Sequence, residues 1–403
     1  MTINITNELE LQQRWYQAEL TIRCILCALL FSIPISSSLK SIMLVAAIFL
    51  LLATKTNKAS LNYLIKQPWV RAILVFLFIV LIECCWTPAD WSEQRFVIEK
   101  HSKLIWLPLL TLGFADKKTR YWGLHAFLAA MVLICLVALG RASGLLYSTE
   151  APGSVFRNYI IIGHMMAFAC YLSAYLAIKT PSLRLPYAAL FLLFSYEVLF
   201  ISLGRTGFII YFVLFLLLML QLLKKKQLIL GFVVLLLTGG LALHFSTTMQ
   251  QGVQSLQSSA HEFQQGEKNT SLGFRLQFQQ FAFKLFKENP VLGNGTASLV
   301  YYFGKENPVP SWDRPLHEPH NQYWLIAAEY GLVGILAYFI LLLTLTMACL
   351  RLHEMKHIAI ALLIPFIIGS FSDSLLFYSG SGYFFLTLMA LCLGESVRVK
   401  SSS

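Results

Sequence analysis

Two histidines three positions apart, His317 and His320, stand in the run Leu316-His317-Glu318-Pro319-His320-Asn321-Gln322, just ahead of an apolar stretch that begins near Tyr323. With an ordinary pKa of about 6.5, an imidazole can take or give a proton near neutral pH. A position before a helix N-terminus adds free amides and a dipole that favour an anion. A capping or interface role accounts for such a histidine equally well. Pro319 argues for a turn between the pair. A metal pair would need more ligands; the aspartates are Asp90, Asp116, Asp313 and Asp373, and no D-x-D occurs. The expectation is therefore chemistry without a metal and without a cofactor.

Arginines supply the complementary charge. Arg205 lies in Ser202-Leu203-Gly204-Arg205-Thr206-Gly207, wedged between two strongly apolar runs. Flanking glycines permit a tight turn and the approach of a bulky anion, and the guanidinium fork suits phosphate better than a lysine does. Snorkelling to lipid phosphate is the alternative. Arg275 opens an amphipathic run, Ser271 to Pro290, in which Phe274, Phe278, Phe281 and Leu285 recur at helical spacing; that stripe is expected to lie in a membrane interface. By itself Arg275 reads as a solvated helix residue. Arg157 and His164, in Phe156-Arg157-Asn158-Tyr159-Ile160-Ile161-Ile162-Gly163-His164, would suit an anionic lipid head group or simply a helix boundary. Glu197, Glu329 and Asp373 are carboxyls in or near apolar runs, where ionisable groups tend to be paired or functional, and the sequence names no partner for them.

The elements that must position these groups are membrane helices. The chain of 403 residues is 57% apolar and 13% charged, far from the roughly 25% charged residues of soluble domains. Apolar runs break at 20–37, 39–53, 70–86, 103–115, 122–140, 158–178, 186–203, 207–223, 228–245, 323–349, 357–371 and 382–396. At roughly 20 residues per crossing the expectation is an all-α integral membrane protein of about 12 transmembrane helices. It reads as one polytopic domain over 1–403, with one large loop, 246–322, between spans nine and ten. Most basic residues, among them Arg14, Lys55, Lys117, Lys118, Lys224, Lys225, Lys226, Arg398 and Lys400, fall in alternate loops on the side of the termini, which the positive-inside rule makes cytoplasmic. The net charge of +11 follows from that bias, and nucleic-acid binding is not expected. The eight cysteines all fall in or beside apolar runs, so neither a disulfide framework nor a zinc site is expected.

Taken together, Arg275 with its aromatic helix, Asn289-Pro290-Val291-Leu292-Gly293-Asn294-Gly295, and His320-Asn321 leading to Gly331 and Gly334 resemble the O-antigen ligase and polymerase superfamily, with Arg205 in the place of that family's arginine ahead of the large loop. The resemblance implies a glycosyltransferase at the periplasmic face of a bacterial inner membrane. The glycan would come from an undecaprenyl diphosphate carrier and pass to a hydroxyl of lipid A-core, among membrane lipids. Length and the one large loop resemble the ligase members more than the polymerases or the protein O-oligosaccharyltransferases. His320, Arg205 and Arg275 are then the expected catalytic residues, in a single displacement with inversion. Arg205, Arg275, His317, Asn321 and Arg157 are the expected substrate contacts. The rival class is a transporter or flippase, which would place its polar residues around a midplane pathway.

Overall fold

Seventeen α-helices account for about three quarters of the described chain. The computed structural model describes the backbone of residues 2–54 and 58–397, and side chains from residue 17 onward except Lys58. The side chain of Arg14, and Lys55, Arg398 and Lys400, lie outside the described residues. In order the helices are α1 (Thr2–Ile35), α2 (Ser37–Thr54), α3 (Lys58–Lys66), α4 (Pro68–Ile82), α5 (Trp91–Ser102) and α6 (Trp106–Gly113). They continue with α7 (Lys117–Ala142), α8 (Tyr159–Lys179), α9 (Arg184–Tyr196), α10 (Arg205–Leu222), α11 (Lys225–Phe245) and α12 (Thr247–Gln264). Last come α13 (Ser271–Glu288), α14 (Ser298–Glu306), α15 (Gln322–Leu350), α16 (Lys356–Gly369) and α17 (Ser379–Leu393).

Each expected span overlies a helix, and among the described residues nine are long and apolar enough to cross a membrane. The protein is an all-α, multi-pass membrane protein. The helices on the other three expected spans, α6, α16 and α17, have 8, 14 and 15 residues and are shorter than the roughly 20 residues a crossing needs. Side-chain oxygens mark many helix starts: Asp116 accepts from Thr119 N, Asn158 from Ile160 N, Ser246 from Met249 N and Thr270 from Gly273 N, each satisfying an amide that the first turn leaves free.

Two apolar cores divide the interior. The large one fills the membrane bundle. A second is built by α5, α13, α14 and the start of α15, with Phe278, Phe281, Leu285, Leu299, Phe303 and Leu325 buried in it. This corrects the expectation for the amphipathic run. Phe278, Phe281 and Leu285 are at most 4% exposed, so the stripe packs inside the protein and not in a membrane interface; an apolar face is buried equally well by either neighbour, and α14 and α15 supply one. The 246–322 segment carries α12, α13 and α14. Residues 87–102, from the first half of the chain, join the same core through Ala89, Phe96 and Val97.

The glycine turn has a structural task. α15 breaks at Gly331, where φ is 56° and ψ is −155°. Into that break fits 290–295: Gly295 N donates to Glu329 O at 2.9 Å, and Leu332 N to Pro290 O at 2.9 Å. A Cβ on Gly293, itself at φ +76°, would sit 2.2 Å from Glu329 O. The turn therefore clamps the second core to α15 by main-chain bonds that no other residue type permits.

Candidate active site

His320 stands two residues before α15, next to its N-cap Asn321, in a left-handed conformation (φ +53°) unusual for a residue with a side chain. Neighbouring groups hold it there. Its backbone N–H donates to Glu318 Oε2 at 2.8 Å. Asn321 caps α15, its Oδ1 accepting from Tyr323 N at 3.0 Å and Trp324 N at 3.1 Å while its Nδ2 donates to Phe371 O at 3.0 Å. An observed strain of this kind, stabilised from several sides, makes His320 a candidate functional position.

The ring is fixed as firmly as the backbone. His320 Nδ1 lies 3.2 Å from Asp373 Oδ1 and 3.2 Å from Glu318 Oε1, both carboxylates being buried. Two anionic acceptors at one nitrogen require that Nδ1 carry the proton, which leaves Nε2 as the basic nitrogen. Burial disfavours the imidazolium, but the Asp373 hydrogen bond and the charges of Glu318 and Asp373 outweigh it and raise the His320 pKa above its ordinary value, with Arg275 acting in the opposite sense. Tyr378 completes the network: its hydroxyl donates to Glu318 Oε1 at 2.5 Å, and burial with the two carboxylates pushes its pKa up, so it stays a donor.

Helix α13 delivers the cation. Phe278 stacks on the His320 ring at 6.2 Å between centroids, and Arg275, one turn earlier on the same face, acts electrostatically on both His320 and Tyr378. The structure thus joins Arg275 and His320. It sends His317 elsewhere, to Glu93 Oε2 on α5 at 2.9 Å, beside the Phe96 ring. Asn321 has protein partners for both ends of its amide, as described. Arg157 bonds to Ile33 O at 2.9 Å and Ser37 Oγ at 2.7 Å, tying the entry of α8 to the turn between α1 and α2.

Arg205 is the first residue of α10, with Gly204 before it. The flanking glycines serve packing and not a positive φ: Gly207 meets Gly163 of α8 backbone to backbone, a Cβ on Gly207 reaching within 3.1 Å of Gly163 Cα. His164, next along α8, interacts with Asp373. The start of α8 therefore neighbours both the turn that carries Arg205 and the His320 network. Arg205 Nη1 is buried without a hydrogen-bond partner, and its Cγ lies beside Gly252 of α12.

Sequence reading missed Glu318 and Tyr378, and left Asp373 unassigned. Glu318, His320 and Asp373 also present ligand-type atoms within 4.8 Å of one another, the one such cluster among the described residues. Its oxygens already accept from His320 N, Tyr378 OH and Ser374 N, an arrangement suited to holding a proton. A carboxylate–imidazole pair with a cation nearby can take a proton from a hydroxyl while the positive charge faces an anionic leaving group.

Residues 188–339 match the family described as O-antigen ligase. The match spans Arg205, Arg275 and His320 and stops short of Asp373. No curated protein matches the chain.

Proposed function

The chain belongs to the O-antigen ligase superfamily, and from that premise we propose that it joins a glycan from undecaprenyl diphosphate to a hydroxyl of lipid A-core at the periplasmic face of a bacterial inner membrane. The observation that carries the proposal is the His320 ring, oriented by Asp373 and Glu318 and faced by Arg275 at the end of a membrane helix.

In the reaction, an acceptor hydroxyl oxygen attacks the anomeric carbon from the face opposite the diphosphate. A new C–O bond forms as the sugar–phosphate C–O bond breaks, its electron pair leaving on the diphosphate, so the anomeric centre inverts. His320 Nε2 takes the hydroxyl proton, and the resulting imidazolium is stabilised through Nδ1 by Asp373 and Glu318, a contribution of about 10²- to 10⁴-fold for a positioned base. Arg275 and Arg205 bind the diphosphate and hold its charge, the role a metal fills in other transferases. The partnerless Nη1 of Arg205 suits a phosphate oxygen. His317, Asn321 and Arg157 stand one step out, His317 and Asn321 as supports of the turn that carries His320.

Collection of Arg275, His320 and Asp373 at one end of the bundle favours a transferase over a carrier, whose groups would line the midplane. The test is complementation of a strain lacking its own O-antigen ligase, with native chain or His320→Ala at matched membrane levels, read as a lipopolysaccharide ladder on a gel. The expected result is a ladder from the native chain and none from the variant. Bare core with lengthening of lipid-linked polymer would replace this reading with a polymerase.

A further inference from the structure

Beside the His320 network, and sharing one residue with it, lies a second group of cations that the transfer reaction does not use. Lys40 on α2 is 2% exposed and Lys103, between α5 and α6, is also 2% exposed. Both face the N-terminus of α17. Lys40 Nζ donates to Ser379 Oγ at 2.8 Å and lies 4.0 Å from the centroid of Tyr383. Lys103 Nζ donates to Phe377 O at 2.9 Å and Tyr378 O at 3.1 Å, and lies 5.7 Å from the same ring. Arg157 reaches the spot from the segment just before α8, its Cδ 3.8 Å from where a Cβ on Gly380 would stand, and its Nη2 is buried with no hydrogen-bond partner. Lys100 adds its charge to both lysines.

Like charges so placed repel, and burial deprives them of water. Glu99 is the carboxylate that acts on Lys103, one anion against four cations. A buried charge of one sign either gives up its proton or is held by something of the other sign, and an incoming anion would supply that partner. The first turn of α17 is shaped for close approach: a Cβ on Gly382 would come within 3.0 Å of Lys103 Nζ. Its amides add a helix N-terminus to the cations.

We propose that Lys40, Lys103, Arg157 and Lys100, gathered on the first turn of α17, form a phosphate-binding site distinct from the His320 centre, taking the monoester phosphate of a membrane-anchored molecule. Aromatic Tyr383 and the membrane helices α2 and α8 beside it fit a phosphate that arrives on a lipid. Only in calling that lipid the acceptor of glycan transfer does the proposal rest on the function proposed above. Tyr378 would then link the two sites, its carbonyl on Lys103 and its hydroxyl on Glu318.

The test measures binding, not transfer. The full chain in an uncharged maltoside detergent is titrated with dihexanoyl phosphatidic acid, inorganic phosphate and dihexanoylglycerol, following thermal unfolding. Phosphatidic acid should bind the native chain and Arg275→Gln alike, with affinity falling as salt rises. Lys100→Gln and Arg157→Gln should each weaken it by about ten-fold, the value of one charged hydrogen bond, and Arg157→Lys should restore part of the loss. Lys100 is half-buried, so its substitution keeps the fold testable if Lys40→Met or Lys103→Met does not. Equal binding of inorganic phosphate would locate recognition in the phosphate alone, and binding only of phosphatidic acid would add the lipid tail; dihexanoylglycerol should not bind. No binding to the native chain, unchanged affinity in both Lys100→Gln and Arg157→Gln, or loss in Arg275→Gln would overturn the proposal, the last by moving the phosphate to the His320 centre. Defective glycan transfer with intact phosphate binding would instead count against the proposed reaction.

Discussion

Two carboxylates at one imidazole nitrogen make a prediction with opposite signs. Asp373 and Glu318 each stand 3.2 Å from His320 Nδ1, longer than the roughly 2.7–2.9 Å of the strongest charge-assisted bonds, so each is assigned the lower end of the charged range, about 1.5 kcal/mol. At about 1.36 kcal/mol per decade, Asp373→Asn or Glu318→Gln should each slow transfer by about ten-fold, because the remaining carboxylate still orients the ring. The double variant leaves Nδ1 without an anionic acceptor and should lose the full contribution of a positioned base, about 10²- to 10⁴-fold. The pH profile separates charge from packing. His320 must be unprotonated to act, so kcat/KM rises with pH through its raised pKa. Asp373 stabilises the imidazolium; Asp373→Asn should therefore move the acid limb to lower pH. Arg275 opposes the imidazolium, and Arg275→Gln should move the limb to higher pH. The assay is initial-rate transfer by purified protein in proteoliposomes from pH 5 to about 9, a window chosen around the ordinary histidine value. A double variant no slower than either single, or limbs that move the same way in Asp373→Asn and Arg275→Gln, would refute the base assignment.

Four further outcomes follow from the same geometry. Arg205→Lys should lose most transfer despite keeping its charge, since an ammonium cannot make the two-point contact of a guanidinium; near-native rates in the same vesicles would reduce Arg205 to a charge. Gly293→Ala should loosen the second core, because its Cβ would fall 2.2 Å from Glu329 O at a positive φ, and faster trypsin cleavage between α12 and α14 would report it. Asn321→Ala removes the cap of α15 and should cost about 1 kcal/mol, seen as a lower melting temperature with the pH profile unmoved. Transfer should persist in excess EDTA, and a loss that magnesium restores would reassign Glu318, His320 and Asp373 as metal ligands.

What the sequence determined by itself was whatever depends on local pattern. Apolar runs of membrane length locate the helices, since lipid leaves the backbone few alternatives. His320, Arg205 and Arg275 stood out because charged or titratable residues are conspicuous against an apolar chain. Tertiary structure decided the rest. Whether the Phe278–Leu285 stripe meets lipid or protein depends on what packs against it, and periodicity is the same in both cases. The partners of His320 come from either side of it, Glu318 within two residues and Asp373 across the turn between α16 and α17, and no spacing rule connects a carboxylate 53 residues away. Lys40, Lys103 and Arg157 lie on three separate segments and read one at a time as boundary cations. Only the packing of α2, the α5–α6 junction and the entry of α8 against α17 sets them on one helix end, because burial and mutual repulsion are properties of neighbours in space.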